Sequence, residues 1–176
     1  MKNVKCQMSN VKCQMLRLRP GVTLVELLIY ISLVSIFILT LTDIFSSVLA
    51  VRTESEATSS VEEDGRFILS RLAYDINRAT SVSIPPQIGQ TRSNLRMDIA
   101  GDTYEYSENA RSLQLSNNFG TDIINSSETT VSNLSFQKIG NTGGKETVKF
   151  QFTLTSRTLR PQGPETKTFN TTVGLR

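Results

Sequence analysis

Residues 17–42, RLRPGVTLVELLIYISLVSIFILTLT, decide the fold class of this chain. Two arginines precede Pro20 and Gly21, and the 21 residues from 22 to 42 contain one charged side chain, Glu26. As a helix this run is about 32 Å long, close to the thickness of the hydrocarbon core of a bilayer. The stretch therefore predicts a membrane-spanning helix with a carboxylate near its start.

The carboxylate of Glu26 is the unusual feature of this run. A charged side chain at membrane depth costs about 2.5–3.5 kcal/mol on insertion scales, so such a group normally has a partner or a function. One interpretation places Glu26 at the headgroup level, where it only marks the beginning of the span. The other gives it a charged partner as helices leave the lipid and associate.

The residues around Glu26 resemble the type IV prepilin signal, which type IV pilins share with the pseudopilins of type II secretion. The resemblance is carried by a short basic leader, by Gly21 directly before the apolar run, and by a carboxylate at the fifth position after that glycine. The departure is Val22, where the family more often has Phe or Met. The resemblance implies a pilin-like fold, in which a long N-terminal helix packs on a C-terminal antiparallel sheet.

Carried over to this sequence, the resemblance implies roles for three residues. Prepilin peptidase would cut between Gly21 and Val22 on the cytoplasmic side and N-methylate Val22. The Glu26 carboxylate of a neighbouring subunit would then neutralise the new ammonium group of Val22 in a low-dielectric setting. The implied function is that of a structural subunit of a type II secretion pseudopilus or of a type IV pilus, with competence and adhesion pili as alternatives. The implied partners are other pilins or pseudopilins, the peptidase, the inner-membrane assembly platform, and membrane lipid before assembly.

Two other interpretations of the N-terminus stay open. A conventional secretory signal peptide would be cut after Ala50, but its apolar core is normally about 7–15 residues, whereas the uncharged run from 27 to 42 has 16. A single-pass anchor of a monomeric binding module would need neither cleavage nor Glu26. For an anchor as for a prepilin, the Lys and Arg excess before the span keeps the N-terminus cytoplasmic and places the C-terminal domain outside the inner membrane.

The leader, residues 1–21, contains a seven-residue direct repeat and both cysteines of the chain, Cys6 and Cys13. Translation from Met15 instead of Met1 would give the compact leader MLRLRPG, and both starts stay open. The leader has five basic residues and no acidic one, so its removal would change the formal net charge from +3 to −2. The processed chain would have no thiol and could form no disulfide.

Apolar residues recur at spacings of three and four beyond the span, which predicts an amphipathic continuation of the helix. The predicted buried face consists of Val61, Gly65, Ile68, Leu72, Ile76 and Ala79. Gly65 is expected to be a point where the helix bends or breaks, and Asp75 is expected on the solvated face. From Leu95 the apolar period changes to two, which predicts an antiparallel sheet with residues 117–130 as a loop.

These patterns predict an α+β fold with four segments. They are a leader (1–21), a transmembrane or filament-core helix (22–45), an amphipathic helix half (46–82) and an antiparallel β-domain (83–176). Residues 64–79, DGRFILSRLAYDINRA, also resemble the segment after the membrane helix in J-type minor pseudopilins and PilW-like minor pilins. This second resemblance implies a minor subunit of the filament.

Charge and composition narrow the function classes further. Residues 131–176 hold seven basic and two acidic side chains, which predicts either an ordinary solvated face or a basic patch that contacts DNA or an acidic partner. The candidate residues are Lys138, Lys145, Lys149, Arg157, Arg160 and Lys167. The chain has no histidine, which excludes His-based acid–base catalysis and imidazole metal ligands. Asp98 and Asp102 lack EF-hand spacing, and we predict no enzymatic activity, no cofactor and no metal.

Overall fold

The computed structural model describes residues 23–140 and 143–176. The chain divides into two compact units, Met1–Ile44 and Phe45–Arg176. Helix α1 (Leu24–Arg78) begins in the first unit and ends in the second. The predicted cleavage and methylation site, Gly21 and Val22, lies outside the described residues, as does the rest of the predicted leader.

In the first unit every side chain from 24 to 44 is exposed, including the large apolar ones. The serine and threonine hydroxyl groups of this segment donate hydrogen bonds of 2.7–3.0 Å to backbone carbonyl groups three or four residues earlier. A bilayer requires that polar groups be satisfied in this internal way. Among the described residues, α1 is the one helix that is long and apolar enough to cross a membrane.

Nine strands follow α1 in the second unit. They are β1 (Ser81–Ile84), β2 (Thr91–Arg92), β3 (Leu95–Ile99), β4 (Asp102–Asn109), β5 (Ser112–Asn117), β6 (Gly120–Ile123), β7 (Thr129–Ile139), β8 (Thr147–Ser156) and β9 (Thr166–Gly174). They form a five-stranded sheet of order β1-β3-β4-β5-β6 and a four-stranded sheet of order β2-β7-β8-β9. All pairs are antiparallel. The predicted α+β class is confirmed, with two sheets where the sequence predicted one.

The buried face of α1 is the one that the periodicity predicted. Ile68, Leu72 and Ile76 are fully buried, and all six predicted residues of this face are buried. They share one apolar core with side chains from both sheets, among them Met97, Leu113, Phe136, Phe150 and Phe152. Because burying one such aliphatic side chain contributes about 1.5–3 kcal/mol, this face accounts for much of the attachment of the helix to the sheets.

Gly65 does not break the helix, so the expected break is wrong. The helix continues through it, and the ring of Phe169 from β9 packs directly on its Cα. A Cβ atom at this position would overlap the ring, which is itself stacked on Phe152 with 5.4 Å between ring centroids. The glycine is therefore explained by the close approach of β9, since a helix interior otherwise favours Ala over Gly by about 1 kcal/mol.

Asp75 was expected on the solvated face and is instead buried, with 1% of its surface exposed. Its Oδ2 atom accepts hydrogen bonds from the Tyr106 hydroxyl of β4 and from Arg71 Nε, the latter at 2.9 Å. A buried carboxylate is tolerated because these donors replace its lost hydration. Burial raises the pKa of Tyr106 well above its usual value, and the bonded Asp75 carboxylate raises it further.

The raised pKa of Tyr106 predicts a loss of stability in alkaline solution. The phenol of the unfolded chain ionises near pH 10, whereas the folded protein keeps its proton to higher pH. The contribution of the Tyr106 phenol to the free energy of unfolding is therefore fully present below about pH 10. Above that pH it decreases by up to about 1.4 kcal/mol per pH unit. Urea unfolding at several pH values should show the free energy of unfolding of the wild type falling towards that of Tyr106→Phe. A constant difference between the two proteins from pH 8 to pH 11 would contradict the assignment.

A second carboxylate of α1, Asp64, is also buried against the β-domain. Its Oδ2 atom accepts hydrogen bonds from the backbone N–H of Ser126 at 3.0 Å, from Ser126 Oγ at 2.7 Å and from the Thr129 hydroxyl at the start of β7. Three donors from one short segment thus converge on a single oxygen. The contact joins the helix to the four-stranded sheet.

Two predicted boundaries differ from the structure. The helix ends at Arg78 and not at residue 82, because the backbone N–H of Thr80 already donates to the Asp98 carbonyl at 2.8 Å and β1 then pairs with β3. The predicted loop 117–130 contains β6, which is exposed along its whole length and so has no apolar alternation to reveal it. The Asn117 side chain closes its turn by accepting from the backbone N–H groups of Phe119 and Gly120.

Candidate functional site at the start of the helix

The first turn of α1 is held by Thr23 and Glu26. The backbone N–H of Glu26 donates to Thr23 Oγ1 at 3.3 Å, and the N–H of Leu27 donates to the Thr23 carbonyl at 3.1 Å. Thr23 is therefore the N-cap residue, and Glu26 occupies the third helical position of the Ser/Thr-x-x-Glu capping pattern. A carboxylate in the first turn is also favoured by the helix dipole.

The Glu26 carboxylate is exposed. Its Oε1 atom accepts a hydrogen bond of 3.3 Å from the Tyr30 hydroxyl, one turn further along the helix. Within residues 23–140 and 143–176, no basic side chain forms an ion pair with it. Among these residues the carboxylate thus keeps free lone pairs and a charge without a counter-ion on a mostly apolar helix surface.

Sequence reasoning identified Glu26 but missed Thr23 and Tyr30 as its local partners. Both could have been found, because Thr23 stands three residues before a glutamate at a helix start and Tyr30 stands four residues after it. Gly21 and Val22, the other two predicted site residues, lie outside the described residues. The arrangement of Thr23, Glu26 and Tyr30 can accept a cation at the Glu26 oxygens while Tyr30 orients the carboxylate.

Three of the six residues of the predicted basic patch form ion pairs with acidic side chains. Lys138 is buried, pairs with Glu146 and donates to the Val82 carbonyl at 3.1 Å, so its assignment to an exposed patch is wrong. Arg160 pairs with Glu165 at 2.7 Å and also approaches α1, and Lys167 pairs with a helix glutamate. Of the six candidates, Lys145, Lys149 and Arg157 are exposed and form no ion pair with any residue in 23–140 or 143–176.

The acidic side chains of the β-domain form no candidate metal site among the described residues. In the ranges 23–140 and 143–176, no group of three or more His, Cys, Asp or Glu side chains is arranged to hold a metal ion. Asp98 accepts from Thr103 Oγ1 at 3.1 Å and from Ser81 Oγ at 3.2 Å, and Asp102 accepts from Asn118 at 2.8 Å. Both carboxylates therefore serve the local structure of their strands.

Fold and site together define an α+β protein whose single long helix begins with an apolar, exposed segment able to cross a membrane. The segment carries an exposed carboxylate in its first turn. Comparisons with protein-family models, with curated proteins and with solved structures find no match to this chain.

Proposed function

We propose that this chain is a prepilin-type filament subunit, a minor pseudopilin or minor pilin. Its leader is removed between Gly21 and Val22, and Val22 becomes the methylated N-terminus. Its first helical segment anchors it in the cytoplasmic membrane before assembly and packs among the helices of other subunits afterwards. The β-domain faces outward, and the protein has a structural role and no catalytic one.

The observation that carries this proposal is the exposed apolar surface from 24 to 44 with Glu26 in its first turn. Apolar side chains on all sides of one helix require lipid or other helices around them. A carboxylate in the same surface requires a cation once water is excluded. A newly formed amino group at Val22 of an adjacent subunit supplies that cation at the same depth in a parallel bundle.

A monomeric, membrane-tethered binding module is the alternative. It is supported by the hydrogen bond that the Glu26 carboxylate accepts from Tyr30 of the same helix, because this bond gives the carboxylate a local role that needs no second subunit. In that case the leader would stay attached, and the charge of Glu26 would be dispensable. The two functions therefore differ in the covalent state of the N-terminus.

Intact mass spectrometry of the protein isolated from its own cells tests the processing step. We expect a chain that begins at Val22 and carries one additional methyl group. The same gene expressed in cells without prepilin peptidase is the matched control, and there the leader should stay attached. A chain from the native host that still contains Arg19, Pro20 and Gly21, or one that begins at Val51, would contradict the proposal.

A further inference from the structure

The four-stranded sheet has one face packed on the core and one face turned away from it. Residues paired across β7, β8 and β9 share the second face, and all of them are polar except Ile139 and Gly174 at one end of the sheet. The polar residues are Thr130, Ser132, Ser135, Gln137, Thr147, Lys149, Gln151, Thr153, Thr155, Thr166, Thr168, Asn170 and Thr172. None of the three strands contains an acidic residue. This polar face therefore has hydrogen-bonding groups and a positive charge without a neighbouring carboxylate.

One half of the polar face satisfies its own hydrogen bonds. Thr153 and Thr168 lie with their hydroxyl oxygens 3.0 Å apart, and Thr155 and Thr166 do so at 3.2 Å. Thr130 Oγ1 donates to the Thr155 carbonyl at 3.3 Å. Because these threonine hydroxyl groups already bond to one another or to a backbone carbonyl, few of them are available to bind a ligand in this half.

The other half is different, because most of its side chains form no hydrogen bond or ion pair with the described residues. Within the described parts of the chain, no hydrogen bond or ion pair involves the side chains of Ser135, Lys149, Gln151 or Asn170. Gln137 is the exception, since its amide nitrogen donates to the Gly89 carbonyl at 3.2 Å. The unpaired groups are next to one another in register, with Ser135 opposite Gln151 and Gln151 opposite Asn170.

A shallow cavity of about 180 Å³ lies in this unpaired half. Its lining is Thr91, Ser135, Gln137, Lys149, Phe150 and Gln151. The strand β7 is irregular between Ser132 and Ser135, where Asn133 adopts a φ of 53°. Such a bulge leaves a residue out of the ladder and bends the strand at the edge of the cavity.

We propose that this cavity binds an acidic polysaccharide through single sugar units that carry a carboxylate. Hydroxyl and amide side chains both donate and accept hydrogen bonds, as the hydroxyl groups of a sugar require. The ammonium group of Lys149 only donates and is best matched by an anion. The lining thus combines several groups suited to sugar hydroxyls with one cation suited to a carboxylate. This inference concerns the β-domain alone and does not rest on filament assembly.

Duplex DNA is a poorer match for the same face. DNA presents one negative charge per about 1.7 Å of helix axis, and binding to it depends on several cations that neutralise phosphates together. The polar face offers one cation, Lys149, among neutral groups. Lys138, which the basic-patch hypothesis would have added, is buried on the opposite side of the same sheet.

Isothermal titration of the full chain in detergent micelles tests the inference with three probes. They are a galacturonate hexamer, a neutral glucose hexamer and a short DNA duplex. We expect the galacturonate hexamer to bind at least about tenfold more tightly than either of the others, since one charge-assisted hydrogen bond supplies a difference of this size. Lys149→Gln should weaken galacturonate binding about tenfold and leave the weak binding of the glucose hexamer unchanged.

Lys145→Gln is the matched control, because Lys145 is also exposed and lies outside the polar face. It should bind galacturonate like the wild type. Neither substitution removes a side-chain hydrogen bond or ion pair among residues 23–140 and 143–176, so circular dichroism should show equal thermal unfolding of all three proteins. Absence of galacturonate binding, equal affinity for the two hexamers, tighter binding of DNA, or an equal effect of both substitutions would each overturn the inference.

Discussion

Replacing Glu26 with Gln should abolish incorporation of the subunit into the filament while leaving it processed and folded. Gln at the third helical position still supports the capping pattern, and its side-chain oxygen can still accept from Tyr30. The substitution therefore removes the charge and little else. Without that charge, the N-terminal ammonium group of a neighbouring subunit would be left unpaired in an apolar setting.

The size of this effect follows from the cost of an unpaired charge. Breaking a buried pair by removing one partner costs about 3–5 kcal/mol, which corresponds to at least about 100-fold in an association constant. The measurement is the ratio of subunit in sheared filaments to subunit in membranes, by immunoblot. Intact mass of the membrane fraction verifies that Glu26→Gln has the same N-terminus as the wild type.

Two further variants separate charge from local structure. Tyr30→Phe removes the hydrogen bond to Glu26 but keeps the charge, and it should be incorporated almost like the wild type. Glu26→Asp keeps the charge on a shorter side chain and should retain part of the incorporation. If Glu26→Gln assembles normally, or if Tyr30→Phe fails as severely as Glu26→Gln, the charge-pairing proposal is wrong and the capping role alone explains Glu26.

Much of the helix could be predicted from the sequence because its signals are local. The face from Val61 to Ala79 follows from spacings of three and four, and every residue predicted there is buried. Glu26 could also be identified from the sequence, because its position relative to the apolar run does not depend on the fold. The processing of Gly21 and the methylation of Val22 stay predictions, since these residues lie outside the described part of the chain.

The errors have a common physical origin in contacts between distant segments. From the sequence alone, Gly65 is predicted to weaken the helix, and only the position of Phe169 in β9 explains why a side chain is excluded there. Asp75 is predicted to be a solvated charge because the residue that donates to it, Tyr106, belongs to another element. Lys138 was misassigned for the same reason. Strand periodicity likewise does not specify partners, so two sheets could not be distinguished from one.

Removing the buried carboxylate Asp64 should destabilise the protein by weakening the contact between the helix and the β-domain. In Asp64→Ala the backbone N–H and hydroxyl of Ser126 and the hydroxyl of Thr129 lose their shared acceptor. Of these donors only the Thr129 hydroxyl is on a buried residue, since Ser126 is exposed and can bind water instead. A buried donor left without a partner costs about 1–3 kcal/mol, so we expect the free energy of unfolding to fall by about 1–3 kcal/mol. Asp64→Asn keeps one acceptor oxygen without the charge and should lose less.

The neighbouring Glu63 provides the matched control, since it is an exposed acidic residue of the same helix turn. Its change to Ala gains less helix propensity than Asp64→Ala, so the propensity difference works against the expected result. Glu63→Ala should change the free energy of unfolding by no more than about 0.5 kcal/mol. The chain has no Trp, so urea unfolding of the full chain in micelles is best followed by far-ultraviolet circular dichroism. Equal stability of Asp64→Ala and Glu63→Ala would mean that the three hydrogen bonds of Asp64 do not hold the helix to the β-domain.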